Sequence, residues 1–213
     1  MGKLLQTYNV IAAILVFIGI PSLLYALGDF PRRTFLKETI SLLTIMAFSM
    51  MIVQFFLARS NRAMLKVHET SSVLKFHKFI GYFFIVILLT HPFLIVLPRY
   101  FESGVAPKDA FITLITSYDR PGVLLGMIAY GTMLVLGITS MFRNRLPLSY
   151  RTWRVFHGIL SIVFIAFATW HAINLGGHIN NAFTFYFLML AILGVLLLLN
   201  TYFSKSPKNV GGE

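Results

Sequence analysis

The chain has 213 residues, 57% of them hydrophobic and only 12% charged, a balance too apolar for an ordinary water-soluble domain, so lipid is the solvent it calls for. It has no cysteine, which excludes disulfides, iron–sulfur clusters, thiolate zinc sites and cysteine-linked cofactors, and leaves His, Met or oxygen to hold any metal. The net charge of +11 sits in short clusters between apolar runs, where anionic lipid and membrane topology account for it; no nucleic-acid partner is expected.

In chain order, six apolar runs of spanning length appear, at 8–27, 39–58, 76–97, 122–142, 153–175 and 182–203. They predict an all-α, integral membrane six-helix bundle in which the whole chain, 1–213, is a single transmembrane domain. The first run is longer than the apolar stretch of a signal peptide and lacks a clear small-residue cleavage site, so it reads as a helix. Pro21 and Pro92 fall inside runs and predict local kinks. Pro121 marks the start of the fourth run, and Gly122 and Gly126 read as packing positions that let a neighbour approach. The longest loop, 98–120, contains an apolar stretch at 111–118 suited to a short interfacial segment.

Lys and Arg are unevenly shared between the two sides. Lys3, Arg59, Arg62, Lys66, Lys75, Lys78, Arg143, Arg145, Arg151, Arg154, Lys205 and Lys208 fall on one side; Arg32, Arg33, Lys37, Arg99, Lys108 and Arg120 fall on the other. This bias predicts both termini in the cytoplasm, as for a protein of a bacterial inner membrane. All seven carboxylates lie in loops or at run ends, which counts against an ion-coupled transporter.

The ionisable groups inside the runs are histidines: His77 and His91 on the third, His157 and His171 on the fifth. Each pair is separated by fourteen residues, which at about 100° per residue returns the second imidazole to nearly the same face, roughly 21 Å further along. One span lies between the third and fifth runs, so these two run parallel. His77 then shares a depth with His157, and His91 with His171. A flat macrocycle with two axial imidazoles needs this arrangement, which predicts two b-type haems held between helices three and five. Phe84 and Phe164, seven residues past His77 and His157, are placed between the two levels as a possible electron path. Gly81 and Ser161 leave room for a porphyrin, and Lys75, Lys78, Arg151 and Arg154 are placed to compensate propionates at the inner edge, with Arg99 and Arg120 at the outer. His68 and His178 lie in loops, fit no pair and read as solvent-exposed. Taken singly, each intramembrane histidine or phenylalanine reads as a packing residue; the matched spacing favours ligands.

Phe76-His77-Lys78-Phe79-Ile80-Gly81 leading to Thr90-His91-Pro92, and Tyr150-Arg151-Thr152-Trp153-Arg154-Val155-Phe156-His157 leading to Trp170-His171, resemble the ferric reductase-like transmembrane family. That family includes ferric-chelate reductases, NADPH oxidase membrane domains and the haem subunit of the periplasmic methionine-sulfoxide reductase system. The resemblance runs over about 37–199 and implies that the four histidines ligate two haems. Many family members continue into FAD- and nicotinamide-binding domains, whereas this sequence ends soon after Lys205 and has no G-x-G-x-x-G fingerprint, so no FAD or NAD(P) site is expected in it. The expected function is transmembrane electron transfer, as the haem-containing membrane component of an oxidoreductase. A separate cytoplasmic flavoprotein or membrane quinol supplies the electrons, and a ferric chelate, oxygen or a soluble reductase takes them on the opposite face. The alternatives are a quinol-linked haem anchor subunit of a periplasmic reductase and, from another class, a haem-free membrane scaffold.

Overall fold

The fold is given by a computed structural model that describes residues 2–31, 33–58 and 61–203. Arg32, Arg59, Lys205 and Lys208, which enter the charge bias, lie outside the described residues. The elements in order are α1 (Gly2–Ile14), a π-helical turn (Leu15–Gly19), α2 (Ile20–Leu27), α3 (Phe35–Phe56), α4 (Arg62–Leu65), α5 (Thr70–Leu94), α6 (Leu97–Ser103), α7 (Pro107–Thr116), α8 (Pro121–Met141), a 3₁₀ turn (Arg143–Arg145), α9 (Tyr150–Leu175) and α10 (Asn181–Phe203). Among the described residues, six helical segments are long and apolar enough to cross a membrane, in agreement with the six runs. The third and fifth spans are α5 and α9.

Helix starts follow the local chemistry. The Thr34 side chain caps α3, Ser149 Oγ accepts the Thr152 N–H at 3.1 Å to cap α9, and Pro121 occupies the first turn of α8, where its missing N–H costs nothing. The long loop forms two short helices, α6 and α7, with α7 covering most of the stretch expected to lie at an interface. Pro92 sits near the end of α5, which stops at Leu94 and turns into α6.

At Pro21 the first span is re-formed rather than simply bent. The Ile20 N–H bonds to the Leu15 carbonyl in π register, and Pro21 has no N–H to offer, so the carbonyls of Val16 and Phe17 lose their usual helical partners. Side chains from two other helices replace them. The Ser49 hydroxyl on α3 donates to the Phe17 carbonyl at 2.8 Å, and the Tyr186 hydroxyl on α10 donates to the Val16 carbonyl at 2.7 Å. In hydrocarbon each bare carbonyl would cost several kcal/mol, so the two hydroxyls pin α1–α2 to α3 and α10 at that depth.

The core lies among Phe48, Ile52 and Phe55 of α3, Met133 and Leu136 of α8, Phe164 and Ile165 of α9, and Phe183 and Phe187 of α10. Two helix pairs dominate the packing, α3 with α5 and α8 with α9, while α10 bridges α3 to α9. The backbones of α5 and α9 hardly touch: α5 leans on α3 and α8, and α9 on α8 and α10. The two helices are thus set apart by their neighbours.

Candidate functional site

Because α5 and α9 are each continuous across both of their histidines, the fourteen-residue spacing lays His77 and His91 on one stripe of α5, and His157 and His171 on one stripe of α9. His157 lies within electrostatic reach of His77, and His91 within reach of His171. The four side chains therefore meet as two couples at two levels, here called the His77 end and the His91 end. All four are half-buried.

Helix α8 fastens both imidazoles of α9. The His171 Nδ1 lies 2.7 Å from the Gly122 carbonyl oxygen. A carbonyl can only accept, so Nδ1 carries the proton and Nε2 is left with the lone pair. One turn along, Gly126 faces the same ring: a Cβ built there would overlap His171 Nδ1 and Cε1. Gly122 and Gly126 are thus packing positions, as the sequence indicated, but at Gly126 the neighbour is the imidazole itself. At the other end the Ser140 hydroxyl lies 3.2 Å from His157 Nδ1. Trp153 stacks on the His157 ring at 5.0 Å and is itself held by its Nε1–H on the Thr139 carbonyl at 3.3 Å. Sequence reasoning missed Ser140, the Gly122 carbonyl and Trp153 as supports, since only the crossing of α8 over α9 brings them to the rings.

The α5 imidazoles are held differently. The Nδ1 atoms of His77 and His91 are buried with no hydrogen-bond partner. Gly81 faces α3, where the Gln54 side-chain oxygen lies 3.5 Å from the position of a Gly81 Cβ, and Ser161 donates its hydroxyl to the His157 carbonyl at 2.8 Å. Lys75, Lys78 and Arg151 are exposed at the His77 end, while Arg154 is half-buried with its Nε unpartnered; Arg99 and Arg120 are exposed at the other. Phe164 is buried in the core and Phe84 packs against the same cluster, with its ring edge-on to Phe83 at 4.9 Å. The level between the two couples is therefore packed with side chains.

Among the described residues no three or more of His, Asp and Glu gather tightly enough to enclose a bare metal ion, so the donors come in twos. Residues 43–168 match the family described as the ferric reductase like transmembrane component. The chain belongs to that family. The chain is also similar to an uncharacterized protein of Archaeoglobus fulgidus, 39% identical over 160 residues, covering 75% of this chain and 87% of that relative. No solved structure matches. The family match takes in His77, His91 and His157 and ends at Ala168, just short of His171.

Ferric reductase-like domains generally bind haem, and the residues of this ferric reductase-like protein suit that group. Two helices with few direct backbone contacts bring their imidazoles within reach of each other in two couples. On α9 both Nδ1 atoms have a partner, and at His171 the carbonyl acceptor leaves Nε2 free to serve as a ligand, while on α5 the buried Nδ1 atoms have none.

Two histidines depart from expectation. His178 is not solvent-exposed but only 2% accessible. It stacks on Tyr25 at 4.9 Å, meets the Phe30 ring edge-on at 4.8 Å, and its Nε2 lies 3.1 Å from a Glu38 carboxylate oxygen that also accepts from the Tyr25 hydroxyl. Burial holds its pKa below the ordinary 6.5, and the Glu38 charge opposes that shift in part. The sequence concealed this because Tyr25, Glu38 and His178 come from three segments that only the tertiary fold joins. His68 is half-buried, with its Nε2 enclosed. It lines a cleft of about 410 Å³ with Gln6, Thr7, Val10 and Ile11 of α1, and is likewise not the free loop side chain expected.

Proposed function

We propose that this protein carries electrons across the membrane through two b-type haems, one held by His77 and His157 and the other by His91 and His171. The observation that carries the reading is the hydrogen bond from His171 Nδ1 to the Gly122 carbonyl. It fixes the ring's tautomer and leaves Nε2 as a donor beside His91. Bound haem supplies the reversible one-electron change of its iron. The chain's residues do the rest: the four imidazoles clamp from both sides, α8 keeps two of them in place, and the apolar core around Phe164 keeps water out of the space between the levels.

Family membership supports the electron-transfer reading. In keeping with the Lys and Arg bias, the His77 end faces the cytoplasm of a bacterial cell and both termini lie there too. The exposed cations Lys75, Lys78 and Arg151 form the face on which a separate flavoprotein donor docks. Electrons leave at the His91 end to a ferric chelate or another acceptor.

Pyridine haemochrome analysis of the purified protein is expected to return about two haems b per chain; a haem-free but folded protein would return the reading to a scaffold. Phe84 and Phe164 serve as the path between levels in this proposal. Leucine at both is expected to slow transfer between the haems at unchanged haem content, measured by flash photolysis, and an unaltered rate removes them from the path.

A further inference from the structure

Engaging Nε2 of an imidazole on a metal leaves a proton on Nδ1, and inside a membrane that N–H must find an acceptor. At the His77 end, the acceptor for His157 is present: Ser140 Oγ, at 3.2 Å. The counterpart for His77 is absent in the strict sense, because its buried Nδ1 makes no hydrogen bond. Among the described buried side-chain atoms without a partner is also an acceptor, Gln54 Oε1. Gln54 is near the end of α3, which packs on α5, and its Oε1 and Cδ lie 3.5 and 3.8 Å from the Cβ position of Gly81, four residues beyond His77 on the same face. The Gln54 backbone carbonyl also lies within hydrogen-bonding reach of the His77 ring, so the side-chain oxygen would add to it. The Gln54 amide nitrogen, meanwhile, is turned to the Met50 carbonyl at a long 3.4 Å, a weak bond that a small rotation of the amide sacrifices cheaply. Two complementary groups that are each costly to leave unpaired in hydrocarbon thus belong to one helix contact.

We infer that Gln54 and Ser140 are the positioning residues of the His77 end, the Gln54 side-chain oxygen taking the Nδ1 proton of His77 and the Ser140 oxygen that of His157. This rests on the haem reading above and adds to it a difference between the two ends. At the His91 end, His171 uses a backbone carbonyl, which no substitution removes, and His91 has no acceptor. A hydrogen bond accepted from Nδ1–H makes the imidazole a more basic ligand and favours the ferric state. Side-chain acceptors therefore tune the reduction potential at the His77 end in addition to the backbone, and the backbone alone contributes at the other.

The test is redox titration of the haem-loaded, full-length protein, with both midpoints resolved. Gln54→Leu and Ser140→Ala are each expected to raise the midpoint of the His77-end haem by about 59 mV, which is about tenfold in the equilibrium constant of a one-electron couple. The other midpoint should stay where it is, and Ser140→Thr, which keeps the hydroxyl, should restore the original value. Selective loss of the His77-end haem in Ser140→Ala, reversed in Ser140→Thr, supports the inference equally. Midpoints unmoved in both variants, or moving together at both ends, overturn it. A wild-type protein without haem defeats the haem reading itself, whereas unmoved midpoints in a loaded protein defeat this inference alone.

Discussion

Alanine in place of His91 is expected to reduce the haem content from about two per chain to about one, leaving the haem at the His77 end with its spectrum intact. The physical ground is the separation of the two couples. His91 lies within reach of His171 and His77 within reach of His157, and core side chains including Phe164 are packed between the levels. On the proposed assignment, alanine removes one of two ligands, and among the described residues no third His, Asp or Glu joins the couple as a metal-holding group. Haem quantification and the low-temperature α-band of the variant check this. Loss of both haems, or of neither, contradicts the assignment of one haem to each couple.

Leucine at Gly126 is expected to have nearly as large an effect without touching any ligand. Even the first carbon of a side chain at this position overlaps the His171 ring, so the ring must rotate away or α8 must move off α9. Either displacement breaks the Nδ1 bond to the Gly122 carbonyl. Overpacking costs about 1–3 kcal/mol, and the buried hydrogen bond lost with it about 1–3 kcal/mol, enough together to depopulate the ligating rotamer. The haem at the His91 end should be lost while that at the His77 end remains. Gly131 of the same helix supplies the control. A Cβ there meets open space, so Gly131→Ala should leave haem content unchanged and, if anything, steady α8 by about 1 kcal/mol. Equal haem content in Gly126→Leu and Gly131→Ala would show that His171 has no need of the space Gly126 leaves.

Much of this was readable in the order of residues. Membrane spans announce themselves because lipid tolerates only long apolar helices, and the six runs reappear as six candidate spanning helices with ends shifted by a few residues. The two histidine couples were also legible, since a helix is periodic and fourteen residues nearly close four turns. What escaped were contacts that no periodicity encodes. His178 looked like an ordinary loop residue and is enclosed by Tyr25, Phe30 and Glu38 from distant parts of the chain. Gly126 looked like any small residue that eases helix packing, and nothing in its neighbours in sequence says that the thing packed is an imidazole. Pro21 promised a kink; that Ser49 and Tyr186 would supply hydroxyls to the freed carbonyls was not visible from the first span alone.

By itself, then, the sequence determined the solvent, the number of spans and the stripes on which the histidines lie, because hydropathy and helical pitch are local properties that survive any arrangement of the helices. The tertiary structure decided which helix braces which ring: α8 against α9 and α3 against α5, with α5 and α9 making few direct backbone contacts. That choice depends on the sideways packing of helices in a medium as apolar as their own surfaces. There the outcome turns on small residues and single hydrogen bonds whose partners are far apart along the chain.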